Sequence, residues 1–462
     1  MWVRVWYRNI GDRSLYGTCR PQSPIQRALV RRALAPLLCS QPQARRTLQL
    51  PRKPIPESKS RSQPGDSYPL ASPPAAWRAL GGGVNLLRYA TGTAARSTFF
   101  LLFRLAMLQL VASGRGWSSV LQSREVATFS RDWRAQLEFV QFFLRELTKL
   151  SQKEWSHIQA GTYVMPRVPS RHPLELLPRS VDFLQNLQDS MKLRASGITD
   201  AVPETFHEDP LYPAYYKQNF HYQTDGYLSA ASAERYDFQV EVLFGGLADM
   251  MRRQTLGPLL LFLRERVRSQ RELNERALPL TVLNVPCGSG GFLMDLLDNL
   301  TADEELQDVC VTNLDLSPFY LQRAQARVQE LTSSTATKHA SFVHANAESL
   351  PFPNESFDAI VSIYLFHELP NEARRRVIAE WTRTLRPGGR IVFADSLQKG
   401  DNPAMEAALD RFRVNYHEPY YQSFIETDLR RLFSEASDQQ LVWREQDIHF
   451  LTKVCVFEKR VI

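Results

Sequence analysis

The sequence predicts an α/β protein: a mainly parallel sheet flanked by helices, closed by an antiparallel C-terminal hairpin and preceded by a helical extension. Three observations carry this. After Arg271, short β-branched runs alternate with amphipathic helical patterns, the signature of βαβ units. The stretch "VLNVPCGSGG" takes the first of those runs straight through a Gly-rich turn into a helix. The chain ends in "LVWREQDIHFLTKVCVFEKRVI", two adjacent strand-like runs joined tightly.

The elements follow in chain order. Residues 1–95 are Arg-rich, nearly free of acids and broken by prolines, the composition of an organelle transit peptide or a disordered basic tail. Arginine content favours a mitochondrion, while "PESKSRSQPGDSYPLASPP" is equally at home in a plastid leader; the plastid is the expected address, the mitochondrion the alternative. The change in charge and Pro content places a mature N-terminus within Leu70–Ser97. Met1–Arg124 holds 19 Lys/Arg against three acids, so a total charge of +7 leaves −9 on everything after it. An acidic folded part speaks against nucleic-acid binding, which needs clustered Lys/Arg for phosphate contacts. Five cysteines without a CxxC pair indicate neither a disulfide framework nor a zinc site.

A helical extension is expected over 96–205. The apolar run Phe99–Ala112 contains Arg104 and, at fourteen residues, falls short of the roughly 20 needed to cross a bilayer. It predicts a buried helix or one making peripheral contact with a membrane surface. Ser123–Gln159 repeats apolar residues at helical spacing (Trp133, Leu137, Val140, Phe143, Leu144, Leu147), and "RSVDFLQNLQDSMKL" does so again. An aromatic-rich helical cap is expected over 206–270. Residues 271–462 form the sheet domain, with strands at 281–285, 309–315, 341–345, 357–366 and 390–395, helices at 291–300, 318–331, 371–385 and 426–436, and the terminal hairpin.

Ligands of open α/β sheets lie beyond the carboxyl ends of the strands. The glycine turn lacks the lysine of a nucleotide P-loop, and Leu293 occupies the last position of a GxGxxG fingerprint. Asp315 ends the second strand, where a carboxylate can accept both ribose hydroxyls. Asn346 follows the third, where a side-chain carbonyl can accept an adenine amino hydrogen.

In this order "VLNVPCGSGG", "NLDLSPFYLQRAQAR", "NAESLPFPNESFDAIVS" and "LRPGGRIVFAD" resemble class I S-adenosylmethionine-dependent methyltransferases over roughly Leu280–Leu397. The resemblance implies a seven-stranded Rossmann-like sheet and S-adenosylmethionine as cofactor. It implies a cradle from Asn284, Pro286, Gly288 and Gly290, ribose binding by Asp315, adenine flanked by Leu316, and adenine hydrogen bonds from Asn346 and the Ala347 backbone. Asn284 and Asn346 stand where the family usually has acids. "YDFQVEVLFGGLADMMRR" is similar to the leading helix of ubiquinone/menaquinone-type C-methyltransferases, with Tyr236–Asp237, Gly246 and Arg252–Arg253 at matching spacing.

Methyl transfer is an in-line displacement needing alignment and, for some acceptors, a base. His367 and Glu368 after the fourth strand and Asp395 at the end of the fifth are the catalytic candidates, with His367 as base or helix cap. Tyr416, His417, Tyr420 and Tyr421, together with "YPAYYKQNFHYQTDGYL", are candidate aromatic lining for a small, hydrophobic or aromatic acceptor. The competing expectation is a methyltransferase-like scaffold or assembly factor without catalysis.

Overall fold

The computed structural model describes residues 82–112, 133–166, 173–272, 279–330, 339–406, 409–410, 412 and 416–461. The tail up to residue 81, and with it most of the expected leader, lies outside them. The described residues all fall in one compact unit, Tyr68–Ile462.

Seven strands form one sheet in the order β3-β2-β1-β4-β5-β7-β6. They are β1 Thr281–Asn284, β2 Cys310–Asp315, β3 Ala340–His344, β4 Phe357–Ile363, β5 Leu385–Ser396, β6 Leu441–His449 and β7 Thr452–Lys459. The first five run parallel, and β7 inserts antiparallel between β5 and β6. β5 starts five residues before the expected Arg390, because Leu385 already pairs with Phe357 across an irregularity in the register.

Alternate residues of each strand feed opposite faces, as the two-residue period of a pleated strand requires. Leu283, Ile360 and Phe393 enter one core with Trp381 and Phe433; Val282, Val361 and Val392 enter the other with Leu259, Leu263 and Leu297. The first face is covered by α9 (Asn371–Thr384) and α11 (Leu429–Ala436), the second by α6 (Leu256–Glu272) and α7 (Gly291–Ala302). Every residue of β4 is buried, the pattern of a central strand covered on both faces. α8 is Pro318–Glu330, and the helix expected at 426–436 is divided into α10 (Tyr421–Ile425) and α11.

Among the described residues, five helices precede α6 and the sheet: α1 Gly82–Ala112, α2 Trp133–Gln159, α3 Pro173–Ser196, α4 Ala230–Phe244 and α5 Ala248–Arg253. α1 begins fourteen residues inside the segment read as leader, which ended at residue 95. It docks by its aromatic stretch: Phe99, Phe100 and Phe103 meet each other and Phe183 and Phe238. Arg104 donates to the Leu243 carbonyl at 2.8 Å. These side chains of the expected buried-or-surface helix therefore pack inward. No helix among the described residues is long and apolar enough to cross a membrane. In α2, Phe143 and Leu150 are buried while Leu137 and Leu144 stay exposed.

The turn between α4 and α5 needs its glycines. A Cβ on Gly245 would meet the Phe143 ring at 2.6 Å, and one on Gly246 would meet Phe100 at 3.0 Å. Ion pairs finish the docking. Arg96 of α1 reaches Glu241 and Asp249, each at 2.7 Å. The fully buried Glu154 of α2 accepts from Tyr89 at 2.7 Å and from Arg253 at 2.6 Å. α1 and α2 thus clamp α4 and α5, which carry one wall of the site.

Candidate active site

A cleft opens at the carboxyl ends of β1, β2 and β4, where the strand order reverses and open α/β sheets hold their ligands. Its space, open mouth included, comes to about 1020 Å³. Asn284, Pro286, Gly288, Asp315, Leu316, Asn346 and Ala347 all line it.

Asp315 organises the donor side. One carboxylate oxygen accepts from the Gly288 backbone N–H and the other from Ser317 N–H, both at 2.8 Å. The carboxylate therefore fastens the glycine turn to the end of β2 while keeping lone pairs for a ligand. Burial pushes its carboxyl up to about 6, against the opposing effect of these backbone donors. Gly288 (φ +55°) leaves open space where a Cβ would stand. Gly290 does not line the cleft: at φ +86°, a Cβ there would meet Ala324 of α8 at 2.9 Å. Its requirement is helix packing, and the glycines of this turn that line the cleft are Gly288 and Gly291.

The two amides standing in place of acids have different surroundings. Asn284, almost fully buried, donates to Asn313 Oδ1 at 2.9 Å, and Asn313 donates on to the Ser341 carbonyl at 3.1 Å. This amide ladder crosses three strands. Asn346 accepts from the Glu348 N–H at 2.9 Å, fixing the turn after β3.

The three catalytic candidates separate. His367 and Asp395 do not line the cleft; they form a buried pair, His367 Nδ1 to Asp395 Oδ1, at 2.6 Å. Asp395 also accepts from the backbone N–H groups of Phe366 and Ser396, each at 2.7 Å. Burial alone would lower the His367 imidazole, but the Asp395 carboxylate outweighs it and lifts the ring to about 9. The sequence reads His367 as a base or a helix cap; in the fold its ring is paired with Asp395 beneath the cleft. Glu368, one residue on, does face the cleft and accepts from Tyr227 Oη at 2.5 Å.

The aromatic wall comes from the cap, α8 and the end of β4, and not from 416–421. Tyr215, Tyr216, Tyr227, Tyr236, Tyr320 and Tyr364 line the cleft, whereas Tyr416, His417, Tyr420 and Tyr421 do not. Tyr421 instead pairs its hydroxyl with Ser396 at 2.7 Å. Tyr227 and Tyr236 meet Tyr320 edge-on, with ring centres 5.4 and 5.3 Å apart, a favourable quadrupole geometry. Burial raises the phenols of Tyr216, Tyr227 and Tyr320 well above their usual range, so none ionises near neutrality.

Asp237 and Arg252 also line the cleft, within the helix whose likeness to the quinone-type enzymes the sequence shows. Asp237 accepts from Ser289 Oγ at 2.7 Å and is paired with Arg327. Burial opposes its ionisation, but Arg327 and Arg252 hold its carboxyl below the usual range. Arg252 is the sole Lys or Arg lining the cleft and is paired with Asp249. With Asp237 paired to Arg327 and Arg252 to Asp249, Asp315 and Glu368 are the cleft's acids without an arginine partner, which disfavours a phosphate-bearing ligand and favours one that carries positive charge. A sulfonium nucleoside fits that balance.

This sheet order and donor cleft resemble those of class I S-adenosylmethionine-dependent methyltransferases. Residues 282–389 match the family model described as a methyltransferase domain. Among relatives, the phthiotriol/phenolphthiotriol dimycocerosates methyltransferase of Mycobacterium leprae is 37% identical over 114 residues, covering 25% of this chain and 37% of that one. The 27-O-demethylrifamycin SV methyltransferase of Amycolatopsis mediterranei is 31% identical over 132 residues, 29% of this chain and 44% of that one. The demethylmenaquinone methyltransferase of Lactococcus lactis is 33% identical over 117 residues, 25% and 42%. The chain spans less than half the length of each of these three relatives.

Proposed function

We propose that the protein transfers the methyl group of S-adenosylmethionine to a small, lipid-like or quinone- or phenol-type acceptor. The observation that carries this reading is a cleft with two chemically distinct sides. One presents Gly288, Asp315 and Asn346 to a nucleoside; the other presents tyrosine rings and Glu368 to a flat apolar molecule. Acceptors of this kind are named in the relatives: phenolphthiotriol lipids, demethylrifamycin and demethylmenaquinone.

The donor brings a methyl already activated on a sulfonium, so this chain's residues have mainly to align and to exclude water. Asp315 holds the ribose end. The tyrosine wall, fixed by Tyr227 on Glu368 and by Tyr320 on Ser232 at 2.9 Å, positions the acceptor and covers the methyl. Glu368 is the side chain placed to orient an acceptor hydroxyl or take its proton. Calorimetry on the full chain should show donor and S-adenosylhomocysteine binding at one shared site. Labelled donor with a demethylated quinol or phenolic lipid should give labelled product. Donor binding without transfer to any such acceptor would favour the scaffold alternative, and no donor binding would overturn the reading.

The basic N-terminal segment supports an organelle address, with the plastid ahead of the mitochondrion. A fluorescent fusion of residues 1–95 should enter that organelle, and a cytosolic fusion would reject the address.

A further inference from the structure

We propose that His221, Glu368 and Glu418 bind a divalent transition-metal ion at the rim of the acceptor side of the cleft. One donor atom from each lies within 4.8 Å of the others. The three come from distant parts of the chain: the 220–222 turn of the cap, the turn after β4, and the segment ahead of α10. Only the finished fold brings them together.

Glu418 is the residue that points to a ligand. It is 1% exposed, and neither carboxylate oxygen has a hydrogen-bond partner. His221 Nε2 stands 3.1 Å from Oε1 without forming a hydrogen bond to it. A carboxylate in that position is strongly disfavoured unless a cation meets it or a proton neutralises it. Glu368 adds a second carboxylate, and Tyr227 occupies only its Oε1.

His221 is held in the left-handed region at φ +54°, an uncommon conformation for a residue with a side chain. Its backbone N–H donates to the His417 carbonyl at 3.3 Å.

One imidazole nitrogen and two carboxylate oxygens, with no thiolate, suit Zn²⁺ or Mn²⁺ better than the soft ions or Ca²⁺. Ligands about 2.1 Å from a common ion stand roughly 3–4 Å apart, so a contraction of about 1 Å would complete the set. Three protein ligands leave coordination positions open, and Glu368 places them toward the cleft. An acceptor oxygen could occupy one. That role rests on the methyl-transfer reading, whereas the existence of the site does not.

The test uses the full chain, purified with chelator and titrated with Zn²⁺ or Mn²⁺ by calorimetry and elemental analysis. A single equivalent should bind and raise the melting temperature. Glu418→Gln is a neutral isostere that should fold at least as well as the native chain, yet lose about tenfold or more in metal affinity. His221→Ala should lose as much and remove the histidine nitrogen coupling from the Mn²⁺ spin-resonance spectrum. The proposal is overturned if no ion binds at about 1 mM, or if both variants bind it as the native chain does. Metal binding without donor binding would reject the methyltransferase reading and leave the metal site standing.

Discussion

The two sides of the cleft are built in opposite ways. The donor side comes from neighbouring strand ends within one continuous stretch, and backbone N–H groups make its main polar contacts: Gly288 and Ser317 to Asp315, Glu348 to Asn346. The acceptor side is assembled from the cap, α8, the turn after β4 and the segment ahead of α10, largely through side chains such as Tyr227 on Glu368 and Tyr320 on Ser232. Backbone contacts survive most changes of sequence, and side-chain contacts do not. The comparison teaches that the donor half carries the chemistry of a class, and the acceptor half carries whatever belongs to this chain.

The largest effect expected is on the acceptor side, beneath its floor. His367→Ala leaves the Asp395 carboxylate buried without its cation, and denaturant titration should show a loss of about 3–5 kcal/mol. A loss under about 1 kcal/mol would mean that the pair does not anchor the turn carrying Glu368.

Next comes Asp315→Ala on the donor side. It removes the ribose acceptor and unfastens the glycine turn, each contact to a charged group contributing about 1.5–3 kcal/mol. Calorimetry should find donor affinity down by roughly 10²-fold, and unchanged affinity would place the donor elsewhere.

Gly290→Ala tests packing against ligand approach. The Cβ meets Ala324 and the backbone is left-handed there, so stability should fall by about 1–3 kcal/mol. At saturating donor the variant should still bind; loss of binding in a folded variant would return Gly290 to the cleft.

The smallest effect is with pH. The Asp315 carboxyl, raised to about 6 in the folded protein, ionises before folding is lost but after the unfolded chain's Asp does. Its ionisation therefore subtracts stability as pH rises from the ordinary carboxylate range through about 6. Donor affinity should move the other way, weakening by about tenfold one unit below that value if the carboxylate is the binding form. Asp315→Asn should flatten both profiles between pH 5 and 7.5, to within about twofold in affinity.

How much could be read from the sequence follows the same division. The β-branched runs and the Gly-rich turn give the strands and the donor residues, because their determinants lie within a few residues of one another. Position β5 differs, since "LRPGG" reads as a turn but is held by β4. His367 reads as a base from its ordinary titration range; only the fold shows Asp395 against it. Glu418 sits in a stretch whose tyrosines and histidine draw the eye, and nothing local marks its burial. Tyr227 and Tyr320 are 93 residues apart in number, and no periodicity links them. Asp237 and Arg252 were visible only through likeness to the quinone-type helix.

The amide ladder Asn284–Asn313–Ser341 also bears on how this chain can change over time. A carboxylate at position 284 would face Asn313 Oδ1, acceptor against acceptor. Flipping the Asn313 amide would cure that contact and turn its oxygen toward the Ser341 carbonyl, spoiling the next one. An acid at position 284 is thus closed to a single substitution in a buried site, and opens only if position 313 changes with it. The ladder works as a latch: each amide makes the other difficult to replace.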